Sequence, residues 1–240
     1  MPHLHLQLSS AFQTDYQEVL TETISSFLRA RGPRRLLDIG AGPGGVAVAL
    51  ARQVSRYLAV EEDPASCERL RAAGLQVQEA TFPTAVPGQF DMVVASHSIP
   101  NGEVSDYEPF LGTAWNLVAP SGLLLIATFK GAEEQPIAAF STELFGRRYG
   151  LDPRYAEMLR ILGHLGEPIL SRAISYSVTS EFSDIEALFG SWFWENEDEA
   201  KERRPLLREA FAAKFMASGQ YRVPRHHQIV AMYKPAAPSP

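Results

Sequence analysis

Ten residues, Leu36 to Gly45 (L-L-D-I-G-A-G-P-G-G), restrict the fold more than any other stretch of the chain. A short apolar run ends in an acid, passes at once into glycines, and gives way to an amphipathic pattern from Val46 to Val54. That succession predicts strand, tight turn and helix. A turn of this kind aims the first free N–H groups of a helix at whatever sits above the strand end, where they suit a carboxylate or phosphate. Gly40, Gly42 and Gly44 supply φ angles that side chains disfavour and let a ligand approach the backbone.

The chain before this stretch carries an amphipathic helix, with Phe12, Tyr16, Leu20, Ile24 and Leu28 on one stripe. Beyond it, Tyr57–Val60 predicts a second strand ending at Glu61, Glu62 and Asp63, and Asp63-Pro64 is a helix start with an N-cap acid and a first-turn proline. Strands follow at Leu75–Glu79, Phe90–Ala95 and Leu123–Thr128, with a helix near Tyr107–Val118 before the last. Strands alternating with helices at this spacing imply a parallel sheet covered on both faces. Residues 130–166 interrupt the rhythm with two helical patterns and read as an insertion over the active site. A strand then begins near Leu170, helices follow from Asp184 and Glu197, and a last strand covers about His227–Tyr233. In the second of these helices, Glu197 with Lys201 and Glu199 with Arg203 have the favourable i,i+4 order. The expected architecture is an α/β fold, Rossmann-like, with a seven-stranded mostly parallel sheet and an antiparallel last strand. It occupies 1–240 as one domain, with a helical cap at 1–31, the insertion at 130–166 and a loose tail at 234–240.

A length of 240 residues and a hydrophobic share of 45% fit a globular core of this size. No run of about 18 apolar residues suggests a membrane span, and the start lacks the basic and apolar regions of a signal peptide. Cys67 is the single cysteine, which suits a reducing compartment, so a cytoplasmic setting is expected. The net charge of -6 and the scattered pairs Arg34-Arg35, Arg147-Arg148 and Arg203-Arg204 give no basic stripe of the kind nucleic-acid enzymes use. No His, Cys, Asp and Glu grouping has zinc spacing, and no metal is expected. His3 with His5 and His226 with His227 are poor chelating pairs, the latter because strand neighbours point to opposite faces. His226 or His227 could still reach a site from the strand start.

Gly40, Gly42 and Gly45 satisfy G-x-G-x-x-G, and Glu61 lies where an acid takes ribose hydroxyls, so the glycines alone leave a dinucleotide reading open. Asp38 separates the readings. It stands two positions before the first glycine, where a dinucleotide fold keeps an apolar residue, and a carboxylate there can meet a cationic amino group that a nicotinamide cofactor lacks.

Together, L-D-I-G-A-G-P-G at Leu37–Gly44, V-E-E-D-P at Val60–Pro64, F-D-M-V-V-A-S at Phe90–Ser96 and N-L-V-A-P-S-G-L-L-L-I at Asn116–Ile126 resemble the class I S-adenosylmethionine-dependent methyltransferases, across roughly residues 12–128. The resemblance implies S-adenosylmethionine as cofactor. Gly40, Ala41 and Gly42 would line its methionine part, Asp38 would reach the amino group, and Glu61 would accept both ribose hydroxyls. Glu62 would lie beside the adenine. The acid that normally meets the adenine amino group falls on Ala80 here, leaving that contact to the Thr81 and Phe82 backbone and the Phe82 ring. Ser96 and His97 would face the site, and Tyr16 would close over the cofactor.

A sulfonium methyl is already activated, so catalysis mainly requires a nucleophile held in line with the S–CH3 bond. His97 is the candidate general base, since an unperturbed imidazole changes charge near neutrality. The loop A-S-H-S-I-P-N departs from the N-P-P-Y-like run of enzymes that methylate adenine or glutamine amides. Phe140, Leu144, Phe145, Tyr149, Tyr176, Phe189, Trp192, Phe193 and Trp194 would either form an aromatic lid over a small acceptor or pack as core. The expected reaction is methyl transfer to an oxygen or nitrogen of a small molecule, without nucleic-acid or membrane partners and with no oligomeric state implied. The competing readings are RNA or protein methylation, a nicotinamide-dependent oxidoreductase and a non-catalytic cofactor-binding module.

Overall fold

The computed structural model describes residues 13–32, 34–100, 104–131, 134–146, 149, 153–166, 170–190 and 193–237. His3, His5, Phe12, Arg147, Arg148, Trp192 and the last three residues of the expected tail lie outside them. The chain forms two compact units, one of 17–129, 153–174 and 227–240 and a smaller one of 1–16, 130–152 and 175–226.

The larger unit is built on strands β2 (Arg35–Ile39), β3 (Arg56–Glu61), β4 (Val77–Glu79), β5 (Phe90–Ser96) and β6 (Val118–Thr128), all mutually parallel where they pair. β9 (Gln220–Tyr233) runs antiparallel to β6, with Ile126 opposite Val230. Two-residue β1 (Gln13–Thr14) and eleven-residue β7 (Leu170–Ser180) pair antiparallel, and β8 (Met216–Ala217) pairs with β9. The strand order is β1-β7-β9-β6-β5-β2-β3-β4. Seven of these strands make the expected mostly parallel sheet, and two-residue β1 and β8 extend it to nine.

β2, β3 and β5 are nearly continuous apolar runs because both faces of a parallel sheet are covered. Leu36, Leu37, Met92, Val93 and Val94 are fully buried as a result. The larger unit's helices are α1 (Tyr16–Arg31, from Gln17 on), α2 (Gly45–Ala51), α3 (Pro64–Ala72), α4 (Tyr107–Leu117) and α6 (Pro153–Leu165). Asp63 caps α3 by accepting from the Ser66 N–H at 2.9 Å. Leu20, Ile24 and Leu28 bury the α1 stripe. On α6, Tyr155, Met158, Ile161 and Leu162 join Tyr107, Phe110, Leu111 and Trp115 of α4 in one core cluster. The expected 1–31 cap and 130–166 insertion each contribute residues to both units. Most of α1 and all of α6 are layers of the larger unit, since their apolar stripes are spent on its core.

In the smaller unit, α5 (Pro136–Phe145), α7 (Phe182–Phe189) and α8 (Glu197–Phe215) enclose an aromatic core. Phe211, fully buried, lies with its ring centroid 5.4 Å from Phe140, 4.6 Å from Phe215 and 5.7 Å from Tyr221. Phe193 and Phe182 complete the set. On α8, Arg203 pairs with Glu199 at 3.1 Å as the i,i+4 order predicts, whereas Lys201 sits 3.6 Å from Asp198 instead of Glu197.

Candidate functional site

The opening motif folds as its residues require. β2 ends at Ile39, Gly40, Gly42 and Gly44 take φ of 69°, 60° and 100°, and α2 begins at Gly45. β2 lies between β3 and β5, so its carboxyl end is the point where chain connections leave in opposite directions, the place where open α/β sheets hold ligands.

Two acids meet there. Asp38, 4% exposed, accepts from the Tyr57 hydroxyl at 2.6 Å. Burial pushes its pKa up to about 6; the Tyr57 bond opposes that and the Glu61 charge adds to it. Glu61, 8% exposed at the end of β3, accepts from the Gly42 N–H on Oε2 at 2.8 Å and from the Glu62 and Asp63 N–H groups on Oε1 at 3.0 and 2.9 Å. Among the described residues neither acid has a basic ion-pair partner, so the ends of β2 and β3 carry negative charge without a counter-charge. That suits S-adenosylmethionine, whose sulfonium and ammonium are cationic.

The approach above the glycines also fits a ligand. A Cβ at Gly42 would meet nothing within 4 Å, whereas one at Gly40 would lie 2.3 Å from the Ser98 Cβ. Gly40 is thus required for close passage of the loop after β5, and Gly42 for its open side and its N–H. The Ser98 hydroxyl is buried without a hydrogen-bond partner, an orphaned polar atom on the cradle wall. Asp38 and the Gly40–Gly42 turn would hold the methionine end, and Glu61 the ribose. Three of the roughly four acceptor sites of Glu61 are taken by backbone N–H groups. Accepting two ribose hydroxyls therefore requires one of those N–H groups to yield its place.

The structure places the other expected residues as follows. Glu62 and Thr81 are exposed, beside the ends of β3 and β4, and Ala80 is half-buried with its N–H donated to the Glu61 carbonyl at 2.9 Å. The Phe82 ring packs in the core, edge-on to Phe110 at 5.0 Å. Its backbone stays near the end of β4. Ser96 and Ala41 are half-buried. Tyr16 belongs to the smaller unit, where its ring lies 4.7 Å from that of Tyr176.

His97, just after β5, takes a left-handed φ of 54° and donates its N–H to the Ala127 carbonyl at 2.8 Å. The strain of that conformation is the kind that collects at functional sites. Its ring lies 4.3 Å from the buried His227 ring of β9, and Phe129 stands edge-on to His227 at 6.3 Å. His226 points the other way, its Nδ1 3.0 Å from the Glu134 carbonyl and its N–H donated to the Gln135 Oε1 at 3.0 Å. Sequence reasoning placed His226 and His227 on opposite faces but did not pair His227 with His97, and it missed Ser98 and Tyr57; only the sheet register brings those residues together. Of the aromatic residues read as lid or core, Phe140, Tyr176, Phe189 and Phe193 are core. No grouping of His, Cys, Asp and Glu that could hold a metal occurs among the described residues.

Comparison with known proteins agrees with this geometry. Residues 12–160 match the model of a family described as methyltransferase domain. Among solved structures, the fold resembles a protein described as a methyltransferase from Bacillus halodurans C-125 (TM-score 0.57, 17% identity, 90% of this chain and 99% of that one). It also resembles the N-methyltransferase NodS of Bradyrhizobium japonicum WM9 in complex with S-adenosylhomocysteine (0.52, 11%, 91% and 87%). A third is magnesium protoporphyrin IX methyltransferase of Synechocystis PCC 6803 with bound S-adenosylmethionine (0.53, 10%, 91% and 79%). A stretch of 123 residues, 47% of the chain, is 32% identical to a probable non-canonical nonribosomal peptide synthetase of Salinispora arenicola; the chain spans 2% of that protein's length. With the strand order, the glycine turn and its paired acids, the family match shows that this chain belongs to the class I S-adenosylmethionine-dependent methyltransferases.

Proposed function

We propose that the enzyme transfers the methyl group to an oxygen or nitrogen of a small-molecule acceptor, with His97 as the group that takes the acceptor's proton. The His97–His227 pair, at the end of β5 beside the wall of the glycine turn, is the observation that carries this reading. A strained, backbone-anchored imidazole held by a second ring is pre-organised in a way that an incidental surface histidine is not. The neighbours named above for NodS and the magnesium protoporphyrin enzyme support a small acceptor. Asp38, Gly40, Ala41, Gly42, Glu61, Glu62, Ser96 and the Thr81–Phe82 backbone would contact the cofactor, and Tyr16 would contribute from the first helix. Buried, unpaired Cys67 suits a cytoplasmic setting.

The bound cofactor supplies the electrophilic methyl; the protein supplies position and a proton acceptor. His97→Ala should lower turnover at least about tenfold while leaving S-adenosylhomocysteine affinity unchanged. The measurement is S-adenosylhomocysteine release across a panel of phenols, amines and acids, with binding followed by calorimetry. An unchanged rate would remove His97 from the chemistry. Strongly salt-dependent binding and methylation of transfer or ribosomal RNA fragments would replace the small-molecule reading with an RNA one.

A further inference from the structure

Along β3 of the larger unit, Tyr57, Ala59 and Glu61 alternate with Leu58 and Val60, which join the core cluster on the other face of the sheet. Asp38 stands opposite Ala59, and Tyr57 stands opposite Leu36, two residues nearer the start of β2. Because Ala59 is small, the Tyr57 ring can lean along the strand pair and carry its hydroxyl diagonally to Asp38, 2.6 Å from Oδ2. A bulky residue at position 59 would fill that path. Both partners are buried, Tyr57 at 8% and Asp38 at 4% exposure.

We propose that Tyr57 is a positioning residue for the cofactor: its hydroxyl holds Asp38 as a carboxylate and leaves Oδ1 for the ammonium of S-adenosylmethionine. This role rests on Asp38 being the ammonium's partner and adds the group that keeps it charged. An O–H···O contact of 2.6 Å has the length of a charge-assisted bond to a carboxylate. Hydrogen bonding to the ionised form opposes the burial and the Glu61 charge, both of which favour the neutral acid. Tyr57 remains a donor at any working pH, because burial, the Asp38 charge and the bond itself push its pKa far above the ordinary value. Other charges do not share the task. Val94 of β5 flanks Asp38 on its other side, α2 carries no charged residue, and Glu18, Glu22, Arg29 and Arg31 of α1 are exposed. A phenylalanine would fill the same space, so packing alone does not call for the hydroxyl.

Tyr57→Phe keeps the ring and removes the donor. In the ligand-free variant the Asp38 carboxyl, followed by its carbon resonance in NMR, should titrate at higher pH than in the wild type. By calorimetry, S-adenosylmethionine should bind the variant about fivefold more weakly near pH 6, yet within about twofold of the wild type by about pH 8. In an Asp38→Asn background the same substitution should change affinity by less than about twofold, because the group it acts through no longer titrates. An Asp38 titration left in place by Tyr57→Phe overturns the proposal, as does an affinity loss of equal size at every pH, which would mark a packing role. A carboxyl that titrates at higher pH in the variant, with equal affinity in both proteins at every pH, would leave the hold of the hydroxyl on Asp38 standing and count against Asp38 as the ammonium's partner.

Discussion

At the scale of single residues, the site is organised by what Asp38 lacks. Its carboxyl is buried, holds one hydroxyl donor and has Glu61 as an acidic neighbour, so the proton is retained to about pH 6. The folded-state pKa lies above the ordinary 3.8. The native chain therefore holds a proton that the unfolded chain releases, and the contribution of Asp38 to stability falls as pH rises between those two values. An ammonium ligand needs the ionised form. S-Adenosylmethionine affinity should accordingly rise as pH increases through about 6 and level off above it. Calorimetry across that window, with Asp38→Asn beside the wild type, checks this: the variant should bind weakly at every pH and lose the slope. A wild-type profile that stays flat would separate Asp38 from the ammonium. The placement of Asp38 and Glu61 beside the glycine turn was legible in the sequence because both acids stand where a short apolar run gives way to a turn. Tyr57, Ser98 and His227 were not, because their roles exist only across strands that the sequence keeps far apart.

Elements whose apolar runs end in a hard stop were read closely. β2 and β3 stop at glycine and acid, and α3 starts at the Asp63-Pro64 cap, so their bounds shift by no more than about one residue. β6 and β9 were read too short, for opposite reasons. In β6, Pro120-Ser121-Gly122 reads as a turn, and Ser121 does take a φ of 62°, yet Val118 pairs with Phe90 before the register shifts and resumes at Leu123 opposite Met92. In β9, Arg222, Pro224 and Arg225 break the apolar pattern of a strand that begins at Gln220. The kink in β6 is fixed by Gly122. A Cβ there would sit 2.7 Å from the Ala119 carbonyl oxygen and 3.0 Å from that of Asp91, both backbone atoms with little freedom to move. Gly122→Ala should therefore destabilise the larger unit by about 1–3 kcal/mol, the usual cost of overpacking. Denaturant titration measures it. A loss below about 0.5 kcal/mol would mean that the shifted register is soft.

For the whole molecule, the division into two units has an energetic consequence that periodicity could not reveal, since α5 and α6 carry similar apolar stripes and serve different cores. The larger unit is held by aliphatic burial around parallel strands and carries the glycine turn, Asp38 and Glu61. The smaller unit is held by rings converging on Phe211, with Phe140, Phe182, Phe193, Phe215 and Tyr221 as its neighbours. Phe211→Ala empties the centre of that cluster and should cost about 3–5 kcal/mol. Because the two cores share no member of this ring set, the loss should be local. Hydrogen exchange should speed up in α5, α7 and α8 while protection persists in β2, β3 and β5, and calorimetry should return a wild-type affinity for S-adenosylhomocysteine. The unfolding curve should also broaden or split, as it does when one cooperative transition no longer describes a chain. Equal loss of protection in both sets of elements, with weakened ligand binding, would show that the units fold as one and that the aromatic cluster supports the cofactor site directly.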